Sequence, residues 1–151
     1  WKKHYKELNM NNNLTFAIIK PDAIRSNYTG LIIDHILQSH FTILNAKLIK
    51  MTRNQAEGFY EIHKSLPFFN ELTEFMSSGK CMVLALLKNN AVEEWRKTIG
   101  NTNPEKAEEG SIRKLYGNSI GENGVHGSDS NKNAIKEIGF FFSNSDLILN
   151  E

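Results

Sequence analysis

Four short apolar runs, separated by stretches of helical periodicity, restrict this chain to a mixed architecture built on one small sheet. The first run, Leu14 to Lys20, stops at Pro21-Asp22, and a mostly apolar run closed by a proline reads as a buried strand. Ile43 to Met51, rich in aliphatics with partial alternation, is the second strand, and Cys81 to Leu87 is the third. Gly139-Phe140-Phe141-Phe142 is the fourth. Leu31, Ile32, Ile36 and Leu37 recur at helical spacing across 30–39. Thr52-x-x-Gln55 is a capping-box signature, opening a helix that bears Ala56, Phe59, Tyr60 and His63 and ends at Pro67. Phe69, Leu72, Phe75 and Met76 mark another helix, closed by Gly79. Asn90 is placed to cap a helix through Val92, Trp95 and Ile99 that stops at Gly100, and Ser130 to Ile138 forms a last short helix. The order is strand–helix–strand, two helices, strand–helix–strand. It predicts an α/β (α+β) fold: a ferredoxin-like split βαβ sandwich whose four-stranded antiparallel sheet is covered by helices.

A length of 151 residues suits one domain with a sizeable core. The formal net charge of +1 exerts no global pull on nucleic acid, membranes or acidic partners, so any anion site must come from local clustering of cations. Cys81, the only cysteine, lies inside an apolar strand and reads as a small buried hydrophobe. It cannot form an internal disulfide, which is compatible with a reducing compartment. No apolar run approaches a membrane span. The expectation is a cytoplasmic protein without membrane attachment. Residues 1–13 (W-K-K-H-Y-K-E-L-N-M-N-N-N) differ in character from the rest of the chain and read as an appended extension, with Met10 a possible natural start. The domain proper is expected over 14–151.

Between Asn101 and Asn123 the periodicity weakens, and long irregular loops in compact domains usually serve function. The loop delivers the chain to E-N-G-V-H-G-S-D-S at 122–130. There His126 stands between a valine and a glycine, followed by two hydroxyls and a carboxylate, with little bulk beside it. An imidazole is largely neutral near pH 7 and can act as a nucleophile. The plainer reading is a polar turn before a helix, with Ser128 or Ser130 as its N-cap.

Familiar alternatives are missing. The chain has no G-x-x-x-x-G-K-[ST] loop, no Gly-rich dinucleotide fingerprint after a strand, no CxxC, HExxH or EF-hand loop, and no serine nucleophile elbow. The remaining histidines, His4, His35, His40 and His63, read as surface or packed helix residues. What remains is a scattered set of cations at element ends: Lys20 where the first strand stops, Arg96 beside Trp95, and Arg113 in the irregular insert, with Thr102 nearby. Singly, each reads as a solvated charge. With His126 they supply what phosphoryl transfer needs: guanidinium forks, a point-charge lysine and an in-line nucleophile.

These residues are arranged as in a known family. Lys20-Pro21-Asp22, Phe59-Tyr60, Pro67-Phe68-Phe69, Gly100-Asn101-Thr102-Asn103-Pro104, Gly110-Ser111-Ile112-Arg113 and Asn123-x-x-His126-Gly127-Ser128-Asp129-Ser130 occur in order and at matching spacing. The chain resembles a nucleoside diphosphate kinase from about Leu14 to Phe142. The resemblance implies a ping-pong transfer of the γ-phosphate of a nucleoside triphosphate, mainly ATP but also GTP and others, to a nucleoside diphosphate through phosphohistidine at His126. Glu137 and Ser128 would orient the imidazole and set its tautomer, and Tyr60 would sit beside it. Lys20, Arg96, Thr102 and Arg113 would bind phosphates, and Lys20 and Asn123 would also reach the sugar hydroxyls. Phe68 would stack on the base, with Ile120 and Leu72 near the same slot. Such a slot makes no base-edge hydrogen bonds, so discrimination among bases is expected to be poor. Mg²⁺ would bridge phosphate oxygens and need no protein cage. Relatives assemble as hexamers or tetramers, and a homo-oligomer is expected. Gly124 stands where a bulkier apolar residue is common, Ser26 where many relatives have Arg, and Leu66 at a site often basic; none of these is a reacting group.

Two rival readings are a catalytically silent regulatory member of the fold and a nucleic-acid-binding module. Retention of His126, Arg113, Lys20 and Glu137 together argues against the first. The second needs exposed sheet aromatics beside a basic patch, whereas the charge is balanced and the aromatics fall on apolar helix faces.

Overall fold

The computed structural model describes residues 12–148. Most of the proposed extension, including Met10, lies outside them. Strand β1 (Leu14–Ile19) is buried along its whole length and runs into the short helix α1 (Pro21–Arg25), opened by Pro21 at its first turn. Helix α2 (Thr29–Gln38) leads to β2 (Thr42–Lys50). The capping box forms as the sequence predicts: Thr52 Oγ1 accepts from the Gln55 amide at 3.0 Å and Gln55 Oε1 from the Thr52 amide at 2.9 Å. It opens α3 (Arg53–Phe59), shorter than expected, with His63 falling in a separate 3₁₀ turn, Glu61–His63. Then come α4 (Phe69–Met76), β3 (Lys80–Leu87), α5 (Ala91–Ile99), a 3₁₀ turn at Pro104–Lys106, α6 (Ile112–Tyr116), β4 (Val125–Gly127) and α7 (Asn131–Phe141).

The sheet has four strands in the order β2-β3-β1-β4, every neighbouring pair antiparallel. Crossover helices α2 and α5 send Ile32, Ile36, Trp95 and Ile99 into one core with Ala17 and Ile19. On the opposite face, Phe16 and Ile18 pack with Ala56 and Tyr60 of the α3 region, Met76 of α4 and Ile138 of α7. The alternation of β1 therefore feeds both cores. Truncating a fully buried aromatic in either one would cost about 3–5 kcal/mol. This is the split βαβ sandwich expected from the pattern.

The fourth strand is not where the sequence placed it. Gly139, Phe140 and Phe141 complete α7 and Phe142 is its C-cap, while the edge strand is the three-residue Val125–Gly127. The aromatic run satisfies helical geometry equally well: Phe141 and Phe142 turn toward the core and Phe140 outward. Asn90 does occupy the N-cap position of α5, but it is left-handed (φ 54°) and its side chain makes no capping bond. Helix α4 ends at Met76 with Ser77 as its cap, three residues before Gly79. Cys81 is buried, as expected.

Candidate active site

His126 lies in β4, with Ile18 as its partner on β1, so its ring falls on the face that Phe16 and Ile18 share. Three aromatic rings surround it edge-on: Phe59 with centroids 5.6 Å apart, Phe16 at 6.1 Å and Tyr60 at 6.2 Å. Its side chain is 21% exposed, enough for a ligand to reach one edge while the rest is packed. His126 Nε2 lies 2.9 Å from Glu137 Oε1, and Ser128 Oγ donates to the same oxygen at 2.8 Å. A carboxylate accepts, so Nε2 is assigned the proton and the lone pair remains on Nδ1. Glu137 reaches this point because Ser130, the N-cap of α7, accepts from the Asn133 amide and starts the helix directly after the loop. Tyr60 is buried, and its hydroxyl is held protonated well above the usual range, by burial first and by Glu137 and Cys81 second.

The cations gather at the neighbouring strand ends. Lys20, 7% exposed, donates to Asn123 Oδ1 at 3.0 Å and to the Gly121 carbonyl at 3.3 Å. Its pKa is pushed down to about 8, chiefly by burial, with Asp22 opposing and Arg113 reinforcing the shift. Arg113, in α6, spans two carbonyls, donating to Gly100 at 3.1 Å and Val125 at 2.9 Å, while its buried Nε has no partner. Burial and then the nearby charge of Arg96 lower its pKa to about 10. Thus Arg113 weighs on Lys20 and Arg96 on Arg113, an arrangement an anion would relieve. Arg96, Thr102 and Arg113 line one groove of about 910 Å³ along α5, together with Gly127 and Asp129. Asn123 fastens the two sides of the site, because its Nδ2 donates to the Thr102 carbonyl at 3.1 Å while its Oδ1 accepts from Lys20.

The apolar candidates divide. Phe68 is 49% exposed, with its ring 6.0 Å from that of His63, and Ile120 is 60% exposed, so both present free surface. Leu72 instead is half-buried against the α4 core. The 910 Å³ groove includes three of the four phosphate candidates, while Lys20, Phe68, Ile120 and the imidazole are not among its lining residues. Among the described residues no group of three or more His, Cys, Asp or Glu is placed to hold a metal. A donor set this cationic suits a metal carried by phosphates rather than one bound by the protein.

Sequence reasoning missed two polar anchors. Asp22 Oδ2 accepts from the Gly124 amide at 3.0 Å, and Gly124 adopts φ 86°, a left-handed conformation that glycine takes without strain. Trp95 Nε1 donates to the His126 carbonyl at 3.2 Å. Both are contacts between residues far apart in the chain, and no local pattern announces them. The packing of Phe59 and Phe16 on the imidazole was likewise missed, although the alternation of β1 places Phe16 on the imidazole's face.

A family model described as nucleoside diphosphate kinase matches residues 13–147. A nucleoside diphosphate kinase of Geotalea uraniireducens is 54% identical over 134 residues, covering 89% of this chain and 98% of that protein. Among solved structures, the Aquifex aeolicus nucleoside diphosphate kinase superposes with a TM-score of 0.88 at 38% identity, covering 90% of this chain and 99% of that one. A Halobacterium salinarum nucleoside diphosphate kinase in complex with CDP gives 0.86 at 28% identity, covering 91% and 92%.

Proposed function

The chain belongs to the nucleoside diphosphate kinase family and is a nucleotide-binding phosphotransferase, and from that premise we propose that His126 carries the phosphoryl group between nucleotides. The observation behind this reading is the 2.9 Å contact of Nε2 with Glu137, which leaves Nδ1 as the nucleophilic nitrogen. Nδ1 attacks the γ-phosphorus of a nucleoside triphosphate. A P–N bond forms as the bond to the bridging oxygen breaks, and the diphosphate leaves with that electron pair. Nε2 keeps its proton and shares the new positive charge with Glu137. A second nucleoside diphosphate then attacks the phosphohistidine through a terminal phosphate oxygen, restoring the free imidazole. Little proton chemistry is involved, so positioning and charge neutralisation supply most of the acceleration.

Arg96, Thr102 and Arg113 take the phosphates, joined by Lys20, which with Asn123 also reaches the sugar. Tyr60 and Ser128 hold the imidazole and its carboxylate in place. Phe68 offers a stacking face and Ile120 an apolar edge, with Leu72 supporting from the core side. Neither face supplies a polar test of base identity, so ATP, GTP and other nucleotides serve alike. Mg²⁺ arriving with the nucleotide would supply neutralisation of phosphate charge, and no cluster of protein carboxylates would be needed to hold it.

A homo-oligomer, hexamer or tetramer, is part of the same proposal. Its support is the nine-residue β2 at the sheet edge with Leu48 exposed, together with exposed Leu31 and Leu37 on α2. A cytoplasmic site of action belongs to the same proposal, supported by the nucleotide substrates and compatible with the free Cys81. Among the described residues no helix is long and apolar enough to cross a membrane.

Incubation with ATP labelled at the γ-phosphate tests the central step. The protein is expected to take up label that is lost in acid and kept in alkali, and His126→Ala is expected to take up none. An unlabelled wild-type protein would remove His126 from the reaction.

A further inference from the structure

Strand β4 is a weak place to mount a nucleophile. It is three residues long, lies at the sheet edge, and pairs with β1 alone. Glu137 and Ser128 orient the imidazole, yet neither bonds to the backbone of His126. Among the described residues that backbone has one side-chain anchor: Trp95 Nε1, which donates to the His126 carbonyl at 3.2 Å.

The anchor is rigid. Trp95 is fully buried, its ring meets Phe41 edge-on with centroids 5.5 Å apart, and it belongs to the core that includes Ile99, Ile112 and Val125. It also lies close against Gly127, the next residue of the strand. A Cβ added to Gly127 would fall 2.8 Å from Trp95 Cδ1 and 3.0 Å from Nε1, so the glycine is what lets the indole come close enough to bond. Trp95 and Arg96 are neighbours on α5, the first turned into the core and the second exposed toward the groove. One helix thus holds the carbonyl of the nucleophile with one residue and offers a phosphate-binding cation with the next.

We propose that Trp95 is a positioning residue for phosphoryl transfer, setting the spacing between His126 and the phosphate cations through its bond to the His126 carbonyl. This rests on His126 being the phosphoryl carrier. The indole touches no substrate and takes part in no bond change. Its effect is to hold the attacking nitrogen in line with a phosphorus whose oxygens are gripped from α5, where small displacements are costly.

Trp95→Phe keeps an aromatic ring in the core and removes the N–H. Single-turnover phosphorylation by ATP should slow about tenfold, the scale of one neutral hydrogen bond. The KM for ATP should stay within about twofold, because the phosphate and base contacts are untouched. A purely structural tryptophan would instead lower the unfolding midpoint and leave the phosphorylation rate of the folded fraction unchanged, and that result overturns the proposal. Should the variant fail to fold, the wild-type indole itself reports. The only other tryptophan is Trp1, so Trp1→Phe leaves Trp95 as the sole indole fluorophore. Its emission should change on addition of ATP at the rate at which phosphohistidine forms. Emission that ignores phosphorylation overturns the role. If wild type takes no label at all, both the carrier and its anchor fall; if it takes label while Trp95→Phe matches its rate, only the anchor falls.

Discussion

The two halves of the site solve opposite problems. Around His126 the orienting contacts are already made: one carboxylate oxygen receives both the imidazole Nε2 and Ser128, and three aromatic rings pack against the imidazole while Nδ1 keeps its lone pair for the substrate. Nearby, Lys20 is buried and Arg113 half-buried, and the hydrogen bonds of both go to an amide oxygen and backbone carbonyls, neutral acceptors that offset little of the charge. The nucleophile is held in a completed setting, whereas the cations are held in one that an arriving anion completes. A satisfied pair resists movement, and an unsatisfied cluster gives binding energy when phosphate enters. The difference assigns orientation of the nucleophile to the first half, and to the second both phosphate recognition and stabilisation of the charge in transfer.

Removing a cation should break that contrast most severely. Arg113→Ala is expected to lower kcat by roughly 10²–10³, the scale for losing one charge-stabilising donor in a transition state. The two carbonyls it bridges, of Gly100 and Val125, would lose their partner, so a modest fall in the unfolding midpoint is expected as well. Steady-state kinetics beside a thermal melt separate the two effects. Unchanged kcat would remove Arg113 from the site.

On the nucleophile's side the expected loss is smaller. Glu137→Gln keeps an oxygen that can accept from Nε2, but it removes the charge and adds an N–H₂ able to face the ring and favour the wrong tautomer. Phosphorylation in a single turnover should slow roughly 10- to 100-fold. Nucleotide affinity, set by the other half, should hardly move. A variant that loses affinity and keeps its rate would erase the division of labour.

The sequence carried these halves unequally. His126 could be singled out by its loop, and Glu137, Ser128 and the cations by resemblance of ordered motifs, because reacting groups leave compact signatures. Strands β1, β2 and β3 were legible from runs of buried aliphatics. Strand β4 was not, since V-H-G contains no pattern to read and becomes a strand only because β1 offers an edge to pair with. The Phe140–Phe142 run misled for the complementary reason: aromatics have strand propensity, yet here α7 uses them on a helix. Helices α1 and α6, five residues each, are too short to show a 3.6-residue period. Asp22 and Trp95 were invisible as anchors because each bonds a backbone atom of a residue remote in the chain, which places no demand on local composition.

The subtlest way to sharpen the comparison is pH. Lys20 falls to a pKa of about 8 from 10.5, chiefly through burial, with Asp22 and Glu122 pulling it up and Arg113 pushing it down. An unfolded chain holds that proton up to the ordinary lysine value, while the folded free protein releases it from about pH 8. Between these values the unfolded state binds more protons, so this residue's contribution to stability improves as pH rises from 8 toward 10.5. Phosphate binding needs the charged amine, so nucleotide affinity should move the other way, falling about fivefold between pH 8 and pH 9 for a single titrating cation. Binding at pH 8 should also take up a fraction of a proton, measurable by titration calorimetry in buffers of different ionisation enthalpy. Lys20→Met supplies the reference: it should show weaker binding throughout and should lack both the rising stability and the falling affinity attributable to this site. If wild type and Lys20→Met share the same pH profiles, Lys20 is an ordinary charged lysine and the cationic half is no less satisfied than the half around His126.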